Sequence, residues 1–233
     1  MRGTYLNTAT VLVGTAAGLG LRGVLPESLG SNVRDVIGVA TVALGVRMFL
    51  QTKSPVVPIG AALVGMVIGS LIGIQAGLDA LGNILQSHFA SHSDGNFAAG
   101  FVAASLLFCI GPMTVLGCIE DGLTGKSPLL FVKSIFDGIS ALFFAAALGV
   151  GVVFSAATVL VVQGSLTLGA RSLSKATEGE GRIEELTACG GLMLIALGVR
   201  ILGLKDTPVA DILPGLALAP LAVLILARRR WYP

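Results

Sequence analysis

The chain of 233 residues is 54% hydrophobic and only 12% charged, with a mean hydropathy of +0.90. Water-soluble domains carry about 25% charged residues, so this composition excludes a soluble globule and implies an integral membrane protein whose first partner is the lipid bilayer. The net charge of +2 reports no nucleic-acid partner, and Cys109, Cys118 and Cys189, an odd number set in apolar runs, argue for inert thiols over disulfides or metal ligation.

A bilayer core about 30 Å thick takes about 20 apolar residues of helix. Eight segments qualify: roughly 4–21, 33–51, 57–78, 97–119, 128–149, 152–170, 185–203 and 209–227. The first follows a single basic residue and has no cleavage site behind it, so it reads as a retained helix rather than a signal peptide. It carries Asn7, a polar candidate for the site. The third carries glycines at 65, 69, 73 and 77, a four-residue recurrence that forms one smooth stripe for close helix packing, within the chain or across a homodimer. Gln75 and Asp79 lie roughly opposite that stripe. Between the third and fourth spans, the polar stretch from Leu78 to Asn96 carries Leu81, Ile84, Leu85 and Phe89 at helical spacing, which predicts a short amphipathic helix on the outer membrane surface.

The fourth span is interrupted at Gly111-Pro112. Proline removes a backbone donor and collides with the carbonyl four residues back, so the helix breaks there. The N–H groups exposed at the restart, around Met113 and Thr114, carry partial positive charge that suits an anionic group. The fifth span carries Lys133 and Asp137 four residues apart, on one helical face. At 1.5 Å per residue Asp137 lies about 12 Å into the helix, deep enough that its charge needs a partner; it is the strongest single candidate for binding an ion or proton or for gating. Gly149-Val150-Gly151 separates the fifth span from the sixth, which presents Ser155, Thr158, Gln163, Ser165 and Thr167. Of these, Ser155 and Gln163 are candidates, with Asn7, for hydrogen-bonding a solute or its coupling ion.

Three apparent motifs carry nothing. Gly125-Lys126-Ser127 lacks the first glycine of a phosphate loop, since residue 120 is glutamate. His88 and His92 have ligand spacing, but Asp94 is the only nearby third group. Glu120 and Asp121 are adjacent and point in different directions. No enzymatic constellation and no cofactor is expected.

Cytoplasmic loops collect Lys and Arg. With eight spans, one side receives eleven of the fifteen, including Arg2, Arg47 and Arg228-Arg229-Arg230, and the other receives Arg22, Arg34, Arg200 and Lys205. Both termini are then cytoplasmic, in a bacterial plasma (inner) membrane. Leu44-Gly45-Val46-Arg47 is repeated as Leu197-Gly198-Val199-Arg200, with Pro55 and Pro208 each eight residues beyond, and Ala9–Val13 is matched by Ala157–Val161. Five spans separate each member from its copy, and an odd number reverses direction. The expected fold is therefore all-α: a polytopic transmembrane helix bundle of about eight spans in one integral membrane domain, 1–233. Repeat 1 (about 1–78) is inverted relative to repeat 2 (about 150–227), with central helices over about 97–149 and the fourth span broken. Inverted repeats of this kind build secondary transporters, with the site near mid-membrane.

Gly3-Thr4-Tyr5-Leu6-Asn7, Leu107-Phe108-Cys109-Ile110-Gly111-Pro112-Met113 and Lys133-Ser134-Ile135-Phe136-Asp137-Gly138-Ile139-Ser140 resemble the bacterial membrane proteins grouped as domain of unknown function 554 (DUF554), the YdfK/YqgA-like family. Gly149–Ser155, Gln163-Gly164-Ser165 and Cys189–Leu192 extend the resemblance over nearly the whole chain; it departs at Ala157, where relatives are expected to carry proline. The resemblance implies a multi-span inner-membrane protein with a transport-related role and carries no substrate. The expected function is transport of a small solute or ion, with a passive channel or a non-transporting scaffold or regulatory protein as alternatives.

Overall fold

A computed structural model of the protein describes residues 1–22, 27–89, 97–179 and 181–228. Every regular element among them is helical: α1 (Arg2–Arg22), α2 (Glu27–Phe49), α3 (Val56–Ile72), α4 (Ile74–Phe89), α5 (Phe97–Cys109), α6 (Pro112–Thr124), α7 (Pro128–Leu148), α8 (Ser155–Leu168), α9 (Ala170–Thr177), α10 (Arg182–Ile201) and α11 (Leu213–Arg228). Single 3-10 turns lead into α8 and α11. Among the described residues, the segments Pro128–Leu148, Val150–Leu168 and Val209–Leu226 are each long and apolar enough to cross a membrane, and the count rises to five when each of two bent pairs, α3 with α4 and α5 with α6, is taken as one span.

The bends have local causes. Gly73, at φ 76°, ends α3 in the left-handed region that glycine enters without penalty, its N–H bonding back to Gly69 O at 2.8 Å. The chain restarts as α4 at 55° to α3. Asp211 caps the restart by accepting from Gln75 N at 2.8 Å, and Gln75 Oε1 accepts from Ala210 N at 3.0 Å. The third apolar segment is therefore shorter than its sequence suggests. The amphipathic stretch expected as a separate helix over 78–96 is instead the second arm of the bent pair as far as Phe89; residues 90–96, with His92 and Asp94, lie outside the described residues, as do Arg229 and Arg230. Gly111, between α5 and α6, sets the second bend, of 60°.

The chain forms two compact units, and neither coincides with a sequence repeat. The first comprises Met1–Ile37 and Leu78–Leu173. In it α1 and α7 run side by side in the same direction: Gly3 abuts Leu130, Gly14 meets the Gly138 carbonyl, and Gly18 meets the Leu142 carbonyl and Ala145. Between transmembrane helices, packing replaces water-driven burial as the cohesive force, and small residues allow the backbones to touch. The buried faces of α5, α6 and α8 complete this unit around Phe108, Cys118, Leu130 and Val159, all fully buried.

The second unit comprises Gly38–Gly77 and Ser174–Pro233. Here the α3 stripe is used within the chain, Gly65 against Gly215 and Gly69 against the Asp211 backbone, while Gly77 faces open space. The C-terminal half of α2 crosses α10 in the opposite direction, Gly45 meeting Gly191 and Gly38 meeting Gly198 and Leu202. Glu185, fully buried in the first turn of α10, accepts from the backbone N–H groups of Lys53 and Ser54 at 2.9 and 3.0 Å and from the Thr52 hydroxyl at 2.6 Å. That carboxylate holds the α2–α3 turn closed.

Candidate functional site

The site grows from a backbone defect in the first unit. Pro112 opens α6 and has no N–H, so the carbonyl of Phe108, four residues back, loses the donor that a continuous helix would supply. An orphaned carbonyl in an apolar interior costs about 1–3 kcal/mol. The Lys133 ammonium, on α7, takes that place: Nζ donates to Phe108 O at 2.7 Å. The Thr114 hydroxyl approaches the same oxygen at 3.5 Å. Lys133 also pairs with Asp137 one turn along α7, and Asn7 of α1 donates its Nδ2 to Asp137 Oδ2 at 2.8 Å. One polar chain thus runs from the broken pair α5–α6, through two side chains of α7, to α1.

Burial decides what this chain means. Asn7 is 0%, Lys133 6% and Asp137 8% exposed. A lone charge at such a position is strongly unfavourable, whereas a pair whose remaining valences meet further partners is tolerated. Here the ammonium has two acceptors, and the carboxylate oxygen Oδ2 has two donors. Because a carboxylate only accepts, Asn7 must present its NH₂ to Asp137. Its Oδ1 is then turned away and has no partner.

Gly111 makes the break possible. At φ 151° it occupies backbone space that costs a side-chain-bearing residue about 1–3 kcal/mol, although a methyl there would touch nothing within 4 Å. Gly111→Ala is expected to lower stability by that amount through strain alone, read as a reduced unfolding midpoint in detergent, with no added loss from steric contact. Beyond it, among the described residues, the Met113 N–H finds no acceptor, and those of Thr114 and Val115 make only long bonds of 3.2 and 3.4 Å to Gly111 O.

Of the residues expected to line a site, Asn7, Lys133, Asp137, Thr114 and the Gly111-Pro112 break meet around Phe108 O. Met113 follows directly, half-buried. Ser155 does not join them: its hydroxyl bonds Val152 O at 2.7 Å and closes the turn into α8. Gln163 is fully buried on α8, and neither its Oε1 nor its Nε2 has a partner. Several polar contacts of this unit were not anticipated, among them Lys133 with Phe108 O, Cys118 Sγ donating to Gln163 O at 3.5 Å, the Thr4 and Thr167 hydroxyls at 3.4 Å, and Asp121, which accepts from Gly3 N at 3.2 Å and pairs with the Met1 ammonium at 2.8 Å. Gly125-Lys126-Ser127 is the turn between α6 and α7, with Gly125 in the left-handed region.

The family model described as "Protein of unknown function (DUF554)" matches residues 2–224. The chain belongs to this family. It is similar to an uncharacterized membrane protein, YdfK, of Bacillus subtilis (strain 168), 29% identical over 97% of this chain and 97% of the relative. It is also similar to an uncharacterized protein, YqgA, of Escherichia coli (strain K12), 28% identical over 93% of this chain and 94% of the relative. No solved structure matches. The match to the family covers every residue of the polar chain, from Asn7 to Asp137.

Proposed function

We propose that this protein transports a small solute or ion across the bacterial plasma membrane, with its site at the α5–α6 break and Asp137 as the sensitive charge. The observation that carries this reading is the buried chain Phe108 O, Lys133, Asp137, Asn7: irregular backbone at membrane depth is either buried in protein or lines a cavity, and ionised groups there mark solute and ion paths. The eight-span topology with cytoplasmic termini is the arrangement proposed. Besides the apolar spans, α1, α2 and α10 are 21, 23 and 20 residues long, and the distribution of Lys and Arg fits that count.

The inverted duplication draws support from the crossing of α2 and α10. A methyl on Gly45 would lie 2.7 Å from both Gly191 O and Ile195 N; one on Gly198 would lie 2.7 Å from Gly38 O and 2.9 Å from Val42 N. The offset that carries Arg47 to Arg200 carries Gly45 to Gly198, Gly38 to Gly191 and Val42 to Ile195. Each contact therefore maps onto the other, as a two-fold axis through an antiparallel crossing requires.

The test is solute or proton flux into proteoliposomes. Asp137→Asn keeps the shape and removes the charge, and is expected to slow saturable flux on the order of tenfold or more, the effect of about 1.4 kcal/mol on a barrier. Unchanged flux would remove Asp137 from the mechanism, and unsaturable flux would favour a passive channel.

A further inference from the structure

The charges in the chain Phe108 O, Lys133, Asp137, Asn7 are paired, yet polar atoms of Asn7 itself and of Gln163 on α8 are not. Gln163 is fully buried with both amide atoms unpartnered, and Asn7 Oδ1 is likewise buried and unpartnered. Each such atom left dry costs about 1–3 kcal/mol, a cost that calls for a physical reason, and a bound ligand is one.

Their positions follow from the helix registers. Cys118 Sγ touches Gln163 O, and Gly122 abuts Thr167 O, so α6 and α8 run in the same direction with residue 118 level with 163. Helical side chains lean one turn toward the N-terminus. The Gln163 amide therefore reaches the level of Thr114, in the first turn of α6. On the other side, Thr4 meets Thr167, while Arg22 at the far end of α1 abuts Gly149 ahead of α8, so α1 and α8 run in opposite directions. One turn inward from the Thr4–Thr167 contact, the backbones of Asn7 and Gln163 come level on facing helices, and because the helices are antiparallel the Asn7 amide leans back toward Thr167 while the Gln163 amide leans toward Val159. The start of α6, where among the described residues the Met113 N–H has no acceptor and the first turn has no acidic residue, stands level with the Gln163 amide.

The charges then select a ligand. Lys133 and Asp137 cancel, and Lys133 also consumes the Phe108 carbonyl at the negative end of α5. The partial positive charge at the start of α6, about half an elementary charge, faces no acidic side chain in its own first turn. It calls for an anion, while Gln163 Oε1 calls for a hydrogen-bond donor. We infer that this site takes a small carboxylate bearing a hydroxyl or amino group on the adjacent carbon, its carboxylate on Met113 N–H and Gln163 Nε2 and its donor on Gln163 Oε1. The inference rests on the transport reading for its consequence and names the substrate class of the same site.

The experiment is thermal unfolding of the full chain in detergent with glycolate, L-lactate, glycine and L-alanine, against acetate, methylamine and choline. At least one donor-bearing carboxylate is expected to raise the midpoint of the wild type more than acetate does. Gln163→Leu is expected to lose that shift while unfolding, without ligand, at the wild-type temperature or above, because it deletes two unsatisfied atoms. Gln163→Glu, of unchanged size, is expected to lose it by charge repulsion. No shift with any of the four, a shift with methylamine or choline alone, or a shift that survives in Gln163→Leu overturns the inference. Proteoliposome uptake of the same panel separates the two readings. Saturable uptake confined to a non-carboxylate, abolished by Asp137→Asn, overturns the ligand class and leaves transport standing. Carboxylate binding without flux upholds the ligand class and overturns transport.

Discussion

Lys133→Met is expected to be among the most damaging single substitutions in the first unit, lowering stability by about 3–5 kcal/mol, the usual consequence of removing one partner of a buried ion pair. Two groups lose their partner together. Asp137 keeps only Asn7, at 2.8 Å, and the Phe108 carbonyl keeps only the distant Thr114 hydroxyl at 3.5 Å. Methionine fills nearly the volume of the lysine stem, so the loss reports the charge rather than a cavity. Replacing both partners, as Lys133→Met with Asp137→Leu, removes the uncompensated charge, and such replacements are often neutral or stabilising. The double variant is expected to be more stable than Lys133→Met alone, yet as inactive in flux as Asp137→Asn. Unfolding by titration with denaturing detergent reads the stabilities, and proteoliposomes read the flux. If Lys133→Met costs less than about 1 kcal/mol, the value typical of an exposed pair, the ammonium is hydrated and the chain of contacts is not sealed.

What the sequence made legible follows the range of the interaction. The Gly111-Pro112 break is visible because proline acts on the carbonyl four residues back, and the Lys133–Asp137 pair because one helical turn brings them together. Asn7 stands out as an amide in an apolar span, but its partner lies 130 positions away, and no periodicity encodes that distance. The Phe108 carbonyl, the hub of the site, is invisible because a backbone oxygen has no letter. Ser155 misleads for the opposite reason: a hydroxyl on an apolar helix looks the same whether it faces a solute or, as here, closes a turn on Val152 O. The glycine stripe shows the same degeneracy. Gly69 packs within a helix and Gly73 terminates one at φ 76°, and the four-residue spacing is blind to the difference. Glu185 and Asp211 escape notice because each satisfies backbone N–H groups more than 130 positions distant.

Gly191→Ala and Gly45→Ala are each expected to cost about 1–3 kcal/mol, the usual range for forcing a methylene into a filled interior. A methyl on Gly191 would sit 2.6 Å from Gly45 O and 2.6 Å from Phe49 N, and backbone atoms cannot turn aside as a flexible side chain can. The helices must separate, and every contact along the crossing loosens with them. Once one methyl has opened the crossing the second enters at less cost, so the double variant is expected to lose less than the sum of the singles, a coupling that neighbouring sites show and distant ones do not. The two-fold relation adds a stricter expectation. Gly198→Ala meets the same pair of backbone atoms one symmetry step away, and its cost should equal that of Gly45→Ala within about 0.5 kcal/mol, the scatter of independent sites. A clear inequality would count against the inversion. Gly60 and Gly77 provide the control, since a methyl at either meets nothing within 4 Å. Alanine there should be neutral or stabilise its helix by up to about 1 kcal/mol. A marked loss at Gly77, in a chain whose own helices leave that glycine open, would place a second copy of the protein against it.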